Sequence, residues 1–191
     1  MNNNSLKMAL ASAALVFGLV TLPVQAASKA ETTQTANSRP ISLLNHQLVL
    51  ALPEGFDVSP LPPGTTAEDP SARGKLYINK ASQQLIVTSE TPAPEDKSAS
   101  NRVALAKAKA AFYARQKLSG SKFKVIKEKT LKRDGLTLQQ LETTSVMNGT
   151  PMRSTAFIAE ADARVAVVQV LSDRKDEAAH KALVQHVLGE H

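Results

Sequence analysis

Ser98–Leu118 reads SASNRVALAKAKAAFYARQKL. At about 100° per residue, Ala104, Leu105, Ala108, Ala111, Phe112 and Leu118 fall on one side. Arg102, Lys107, Lys109 and Lys117 fall on the other, and Arg115 lands inside the apolar sector, from which it must snorkel to the edge. Beyond the N-terminal segment this is the longest helical pattern in the chain, and β-like runs flank it on both sides. A sheet built from those runs needs a cover for one face, and an alanine-rich helix face suits a close approach. Ser98 or Ser100 stands where an N-cap is needed, and Ser119-Gly120-Ser121 supplies the stop.

Working backwards, Gln84–Thr88 and Lys75–Asn79 read as two strands of a hairpin around Lys80–Gln83. Thr91–Lys97 and Ser59–Pro70 read as surface loops, the second because it holds Pro60, Pro62, Pro63 and Pro70. Leu48–Leu52 is a further strand, ended by Pro53-Glu54-Gly55. Forwards from the helix come Phe123–Leu131, Leu136–Val146, Pro151–Glu160 and Arg164–Leu171. Arg133-Asp134-Gly135, Asn148-Gly149-Thr150 and Ala161-Asp162-Ala163 separate these runs, and Asp-Gly and Asn-Gly are hairpin signals. In the first run Phe123 and Val125 point one way and Ile126 breaks the alternation, so the register there is ambiguous. Asp173–Leu188 closes the chain as a helix, with Asp173 placed to cap it. Locally paired strands without βαβ alternation predict an α+β fold. Its antiparallel sheet of about six to seven strands is flanked by the long central helix and the C-terminal one.

The ends of the chain carry a second kind of information. Residues 1–26 have a polar start with Lys7, an apolar run from Met8 to Val20, and Val24-Gln25-Ala26 before a cleavage point. That is a bacterial signal-peptide pattern, and the apolar run is short for a membrane span. Cleavage is expected after Ala26, with Ala27 as the alternative, which places the mature chain in the periplasm or outside the cell. Residues 27–39 are almost free of apolar side chains and read as a flexible leader. Residues 40–191 then form a single domain, long enough for one core. With aromatics at 4% and no Trp, that core must rest on Leu, Val, Ile and Ala.

Several chemistries are excluded or unsupported. The absence of cysteine removes disulfides, thiolate metal sites, a cysteine nucleophile and a lipid-modified N-terminal Cys. His180 and His186 are six apart on a helix, off the i, i+4 spacing of a zinc pair, and read as solvent-exposed. There is no GxSxG elbow and no phosphate-binding Gly-rich loop. No catalytic, cofactor-binding or metal-ligating residue is therefore assigned, and no cofactor is expected.

The one local excess of charge is Lys122–Arg133, with Lys122, Lys124, Lys127, Lys129, Lys132 and Arg133 against Glu128 and Asp134. Together with Lys107, Lys109 and Lys117, the residues Lys122, Lys124, Lys127 and Lys129 form the candidate partner-binding surface. A positive face of this kind would meet an anionic envelope component or an acidic protein. The ordinary reading of the same lysines is protection of an edge strand against edge-to-edge pairing. Nucleic acid is not expected as a partner, because no aromatic platform interleaves the lysines.

Pro40-Ile41-Ser42-Leu43-Leu44, followed by Leu48-Val49-Leu50-Ala51-Leu52-Pro53, resembles the opening of DcrB-type bacterial envelope proteins. Leu138-Gln139-Gln140-Leu141-Glu142 resembles an M-Q-Q-L-D strand of that family, and the order of elements agrees from Pro40 to about Leu188. The resemblance implies an α/β/α sandwich of the Mog/PsbP-like kind, no enzyme activity and no catalytic residues. The family's namesake is a tethered lipoprotein, whereas this chain has no cysteine and an Ala-type cleavage site, so no lipid anchor is expected. The expected function is that of a non-enzymatic, exported binding or accessory protein of the cell envelope, with a homodimer as a further possibility. The alternative is a hydrolase or small-ligand enzyme with its site under the Ser59–Pro70 and Thr91–Lys97 loops.

Overall fold

A computed structural model describes residues 38–61, 72–93, 101–118, 122–147 and 149–190. Nine strands and two helices follow the order β1 Arg39–Leu43, β2 Leu48–Leu52, β3 Asp57–Pro60, β4 Arg73–Asn79, β5 Gln84–Pro92, α1 Asn101–Leu118, β6 Lys124–Arg133, β7 Leu136–Met147, β8 Thr150–Ala161, β9 Arg164–Asp173 and α2 Glu177–Val187. Strands β3 to β9 make one antiparallel sheet in the order β3-β4-β5-β9-β8-β7-β6, and β1 and β2 form a separate hairpin. The turns follow their chemistry. Asp134 and Gly135 take φ of 49° and 83°, the left-handed pair that a two-residue hairpin requires.

Alternation along the central strands sorts the core into two faces. Phe157, Ala159, Val168 and Val170 point towards the β1–β2 hairpin and α2, whose Leu44, Leu48, Leu50, Leu183 and Val187 complete a fully buried cluster. Ala156, Ile158, Val165 and Leu141 point the other way, to Leu105 and Phe112 of α1. Because both faces are covered, residues 154–159 of β8 are all buried, a continuous run rather than an alternating one. On α2 the buried set is His180, Leu183, Val184 and Val187, the spacing of one helical stripe.

Four local expectations are corrected. Ser59 and Pro60 belong to strand β3, not to a loop. Proline fits there because β3 is a sheet edge and needs no outward ladder bond. Thr91 and Pro92 extend β5 and pair with Val165 and Arg164. Beyond Leu61 and Ala93, the rest of both predicted loops lies outside the described residues, as do the capping positions Ser98 and Ser100, the signal segment and nearly all of the leader. Asp173 ends β9, and its carboxylate accepts from the Lys175 amide. Asp176 is the true N-cap of α2, accepting from the Ala179 amide at 2.9 Å. His180 is buried at 3% exposure, not solvent-facing.

The hairpin is fastened to the sheet by polar contacts. The Leu44 amide donates to Glu90, which is also ion-paired with Arg164, and Gln47 donates to Asp162 at 2.6 Å. Leu44, Asn45 and His46 all hold positive φ near 52° to 69°. Three successive L-residues in that region are costly, so the fastening contacts and the complete burial of Leu44 must hold the turn in place.

Candidate anion-binding surface

Strand β6 is an edge of the large sheet, and the pleat of its neighbour fixes where its side chains point. Leu141 of β7 lies in the α1-side core and pairs with Glu128, while Leu138 lies in the opposite core and pairs with Leu131. Glu128, Thr130 and Lys132 therefore face α1, and Lys127, Lys129, Leu131 and Arg133 face the α2 side. The register shifts between Val125 and Lys127, which leaves Ile126 as an extra, 49% exposed residue in a β-bulge. This is the irregularity that the sequence alternation marked. Its consequence is that Lys124, three positions before Lys127, returns to the same face as Lys127 and Lys129.

The seven candidate lysines thus do not share one face. Lys107, Lys109 and Lys117 are carried by α1, and Lys124, Lys127 and Lys129 point to the opposite side of the sheet. Lys122 is exposed just before β6. A single positive surface made of helix and strand is overturned by the sheet that runs between them.

The two sides differ electrostatically. On the α1 side, Lys109 pairs with Glu128 at 2.8 Å, and the Tyr113 hydroxyl donates to the same carboxylate. The Lys109 and Tyr113 hydrogen bonds hold the Glu128 carboxyl below its usual range. Burial first, then the bond to Glu128, pushes the Tyr113 hydroxyl up. Phe112, Tyr113 and Phe123 cluster beside this pair with centroids 5.9–6.4 Å apart. A cleft of about 340 Å³ lies between α1 and strands β5 and β9, floored by Val87, Val165 and Val167 and flanked by Lys107 and Arg115. Arg115 is exposed at its rim, consistent with the snorkelling that its helical position demands. Thr91 and Pro92 line this cleft, so it is the nearest match to the alternative enzyme site, yet no carboxylate or imidazole lines it among the described residues.

On the other side, register aligns one row across three strands. Lys124 pairs with Thr144, Thr144 with Arg153, and Arg153 with Ser172. Lys124, Val125, Ile126, Thr144, Arg153 and Arg174 line a crevice of about 270 Å³. Arg153 Nη2 meets Glu177 at 2.8 Å, while its Nε is buried with no hydrogen-bond partner among the described residues. Lys124 and Arg174 are exposed and form no ion pair among the described residues. Neither Arg153, the lone cation of its strand, nor Arg174, which sits with Lys175 between Asp173 and Asp176, carries a local charge excess; only strand register brings them to Lys124.

Beneath this row, His180 Nδ1 lies 2.7 Å from Ser172 Oγ and its Nε2 2.8 Å from Thr155 Oγ1. A serine against an imidazole invites a nucleophile reading. Yet Ser172, Thr155 and His180 are each at most 3% exposed, and the partner that would orient the ring is a threonine rather than a carboxylate. Burial and then the charge of Arg153 push the imidazole down to about 4. It is a neutral, hydrogen-bonded part of the core. No group of three or more His, Cys, Asp or Glu is placed to hold a metal among the described residues, and none of their helices is long and apolar enough to cross a membrane.

A seven-stranded antiparallel sheet with two helices defines an α+β protein. The chain is similar to the solution structure of cyanobacterial PsbP (CyanoP) from Synechocystis sp. PCC 6803, with a TM-score of 0.61 at 11% identity. That likeness covers 85% of this chain and 96% of that one, and at such identity it concerns the fold alone. Weaker likenesses extend to PA94 of Pseudomonas aeruginosa, a protein of unknown function (TM-score 0.43, 17% identity, covering 79% of this chain and 93% of that one). They extend also to LpqN of Mycobacterium tuberculosis, involved in cell envelope biogenesis (TM-score 0.42, 11% identity, covering 81% and 88%). No family model and no curated protein matches the sequence.

Proposed function

We propose that this chain is an exported accessory protein of the bacterial cell envelope, without enzymatic activity, that binds an anionic envelope component through the β6 side of its sheet. The observation that carries this reading is the bulged edge strand. It turns Lys124, Lys127 and Lys129 to one face, and none of the three forms an ion pair among the described residues. The signal-peptide pattern of residues 1–26 supports export, the two-sided covering of the sheet agrees with the α/β/α arrangement of the Mog/PsbP-like kind, and the short motifs resembling DcrB-type proteins agree with an envelope role. Pairing of two β6 edges is disfavoured by the same lysines, so an anionic ligand suits this edge better than a second copy.

The test is photo-crosslinking in the periplasm with a reagent that does not react with amines. Charge reversal of Lys124, Lys127 and Lys129 is compared with reversal of Lys107 and Lys117. Loss of the captured anionic component in the β6 variant alone supports the reading. Equal capture by both variants and the native chain overturns it.

A further inference from the structure

We infer that the crevice above Thr144 is a binding site for a phosphate group, held between Lys124 of β6 and Arg153 and Arg174 at the far side of the row. This rests on the anionic-partner reading above and gives it a chemical class. Strands neighbour each other at about 4.8 Å, so Lys124 and Arg153, two strands apart, have backbones about 10 Å from each other. The residue between them in the row is Thr144, short and hydroxylated, and it leaves a hollow that two long cationic side chains border. An oxyanion there would meet an ammonium, two guanidinium groups and a hydroxyl, a set of donors with no competing acceptor in the lining.

Two further features point the same way. The bulge at Ile126 is what brings Lys124 to this face; regular alternation from Lys127 would turn it towards α1. Arg153 has a buried Nε without a partner, while its other end is held by Glu177. The site is therefore anchored on one cation that is already fixed in place. Neither nearby acid lines the crevice: Glu177 bridges Arg153 and Lys181, and Glu142 accepts from Gln140 at 3.5 Å. Lys124 instead faces a neutral threonine, so its charge has no acid opposite it in the row. Arginine and lysine together match a phosphate group better than a lone carboxylate, because its tetrahedrally arranged oxygens can satisfy donors arriving from three directions.

The experiment is a titration of the folded protein with inorganic phosphate, followed by backbone amide NMR, beside flotation with vesicles of phosphatidylglycerol and of phosphatidylcholine. A saturable response centred on residues Lys124, Thr144, Arg153 and Arg174 is expected. Lys124→Gln with Arg174→Gln should weaken it about tenfold or more at unchanged melting temperature. Deletion of Ile126 should weaken it similarly, although no charge is lost; if that variant does not fold, the Gln pair alone decides. Response to phosphate without flotation places the phosphate on a soluble ligand. Flotation with phosphatidylglycerol that fails in the Gln variant places it on a lipid headgroup. No saturable response to either probe overturns the site. So does flotation that survives Lys124→Gln and Arg174→Gln but is lost on reversal of Lys127 and Lys129, an outcome that leaves the broader anionic-partner reading standing.

Discussion

The two faces of the central sheet are built from the same strands and behave as different materials. On one face the β1–β2 hairpin and α2 lie side by side, and Phe157, Ala159, Val168 and Val170 are wholly excluded from water. On the other, α1 covers the sheet as a single helix, and a cleft remains beside it. The charges divide in the reverse sense. Beside α1, Lys109 is tied to Glu128; beside the densely packed face, Lys124 and Arg174 are left without ion pairs among the described residues. The dense packing and the cations of the Lys124 crevice therefore share one side of the molecule. A rigid support is what a binding row of exposed cations requires, since disorder in its supporting strands would spread the donors apart.

The largest effect is expected from removing one large side chain from each face. Phe157→Ala is expected to cost about 4 kcal/mol, because a wholly enclosed site cannot collapse around the cavity. Phe112→Ala, beside the open cleft, should cost less, about 3 kcal/mol. Urea denaturation of both variants measures the gap, and equal losses would show that the two faces pack alike.

Next in size is a pH dependence confined to the dense face. The folded-state pKa of His180 is pushed down to about 4, from 6.5 in the unfolded chain. Between those values the unfolded state binds the proton and the folded state does not, so stability rises with pH. The contribution is whole above pH 6.5, falls away as pH drops through 4, and amounts to about 3 kcal/mol. Urea melts between pH 4 and 7.5 on the native chain and on His180→Gln give the answer. A slope that persists unchanged in the variant would assign it to other groups.

A smaller effect is expected at the start of α2. Asp176→Ala removes the acceptor of the Ala179 amide and should cost about 1 kcal/mol by the same melts. A loss no greater in Asp176→Ala than in Asp173→Ala would return the cap to Asp173. The smallest effect is on the α1 side. Glu128→Gln should change stability by about 0.5 kcal/mol, since the Lys109 pair is substantially exposed. It should also lower the Tyr113 pKa, because the acceptor charge beside the hydroxyl is gone. Ultraviolet titration of the tyrosines reads that shift, and its absence would detach Tyr113 from Glu128.

Most of the strands were legible because their signals are local. The alternation of Leu48–Leu52, the Asp134-Gly135 turn and the apolar stripe of α1 each lie within a few residues of sequence. Strands β1 and β3 were not, since Pro40 and Pro60 sit inside them, and proline argues for a strand only once the strand is known to lie at an edge. His180 reads as a polar residue on a helix until Ser172 and Thr155 are seen on either side of its ring.

The candidate surface divides along the same line. Its lysines were visible as a run, and Ile126 was visible as a break in alternation, because both are properties of neighbours in the chain. Which lysines share a face was decided by the pleat of β7, and the meeting of Lys124 with Arg153 and Arg174 by pairing across β6, β7, β8 and β9. Composition and periodicity determine what each segment does locally. Register couples residues about thirty to fifty positions apart, and that coupling exists only once the strands lie side by side.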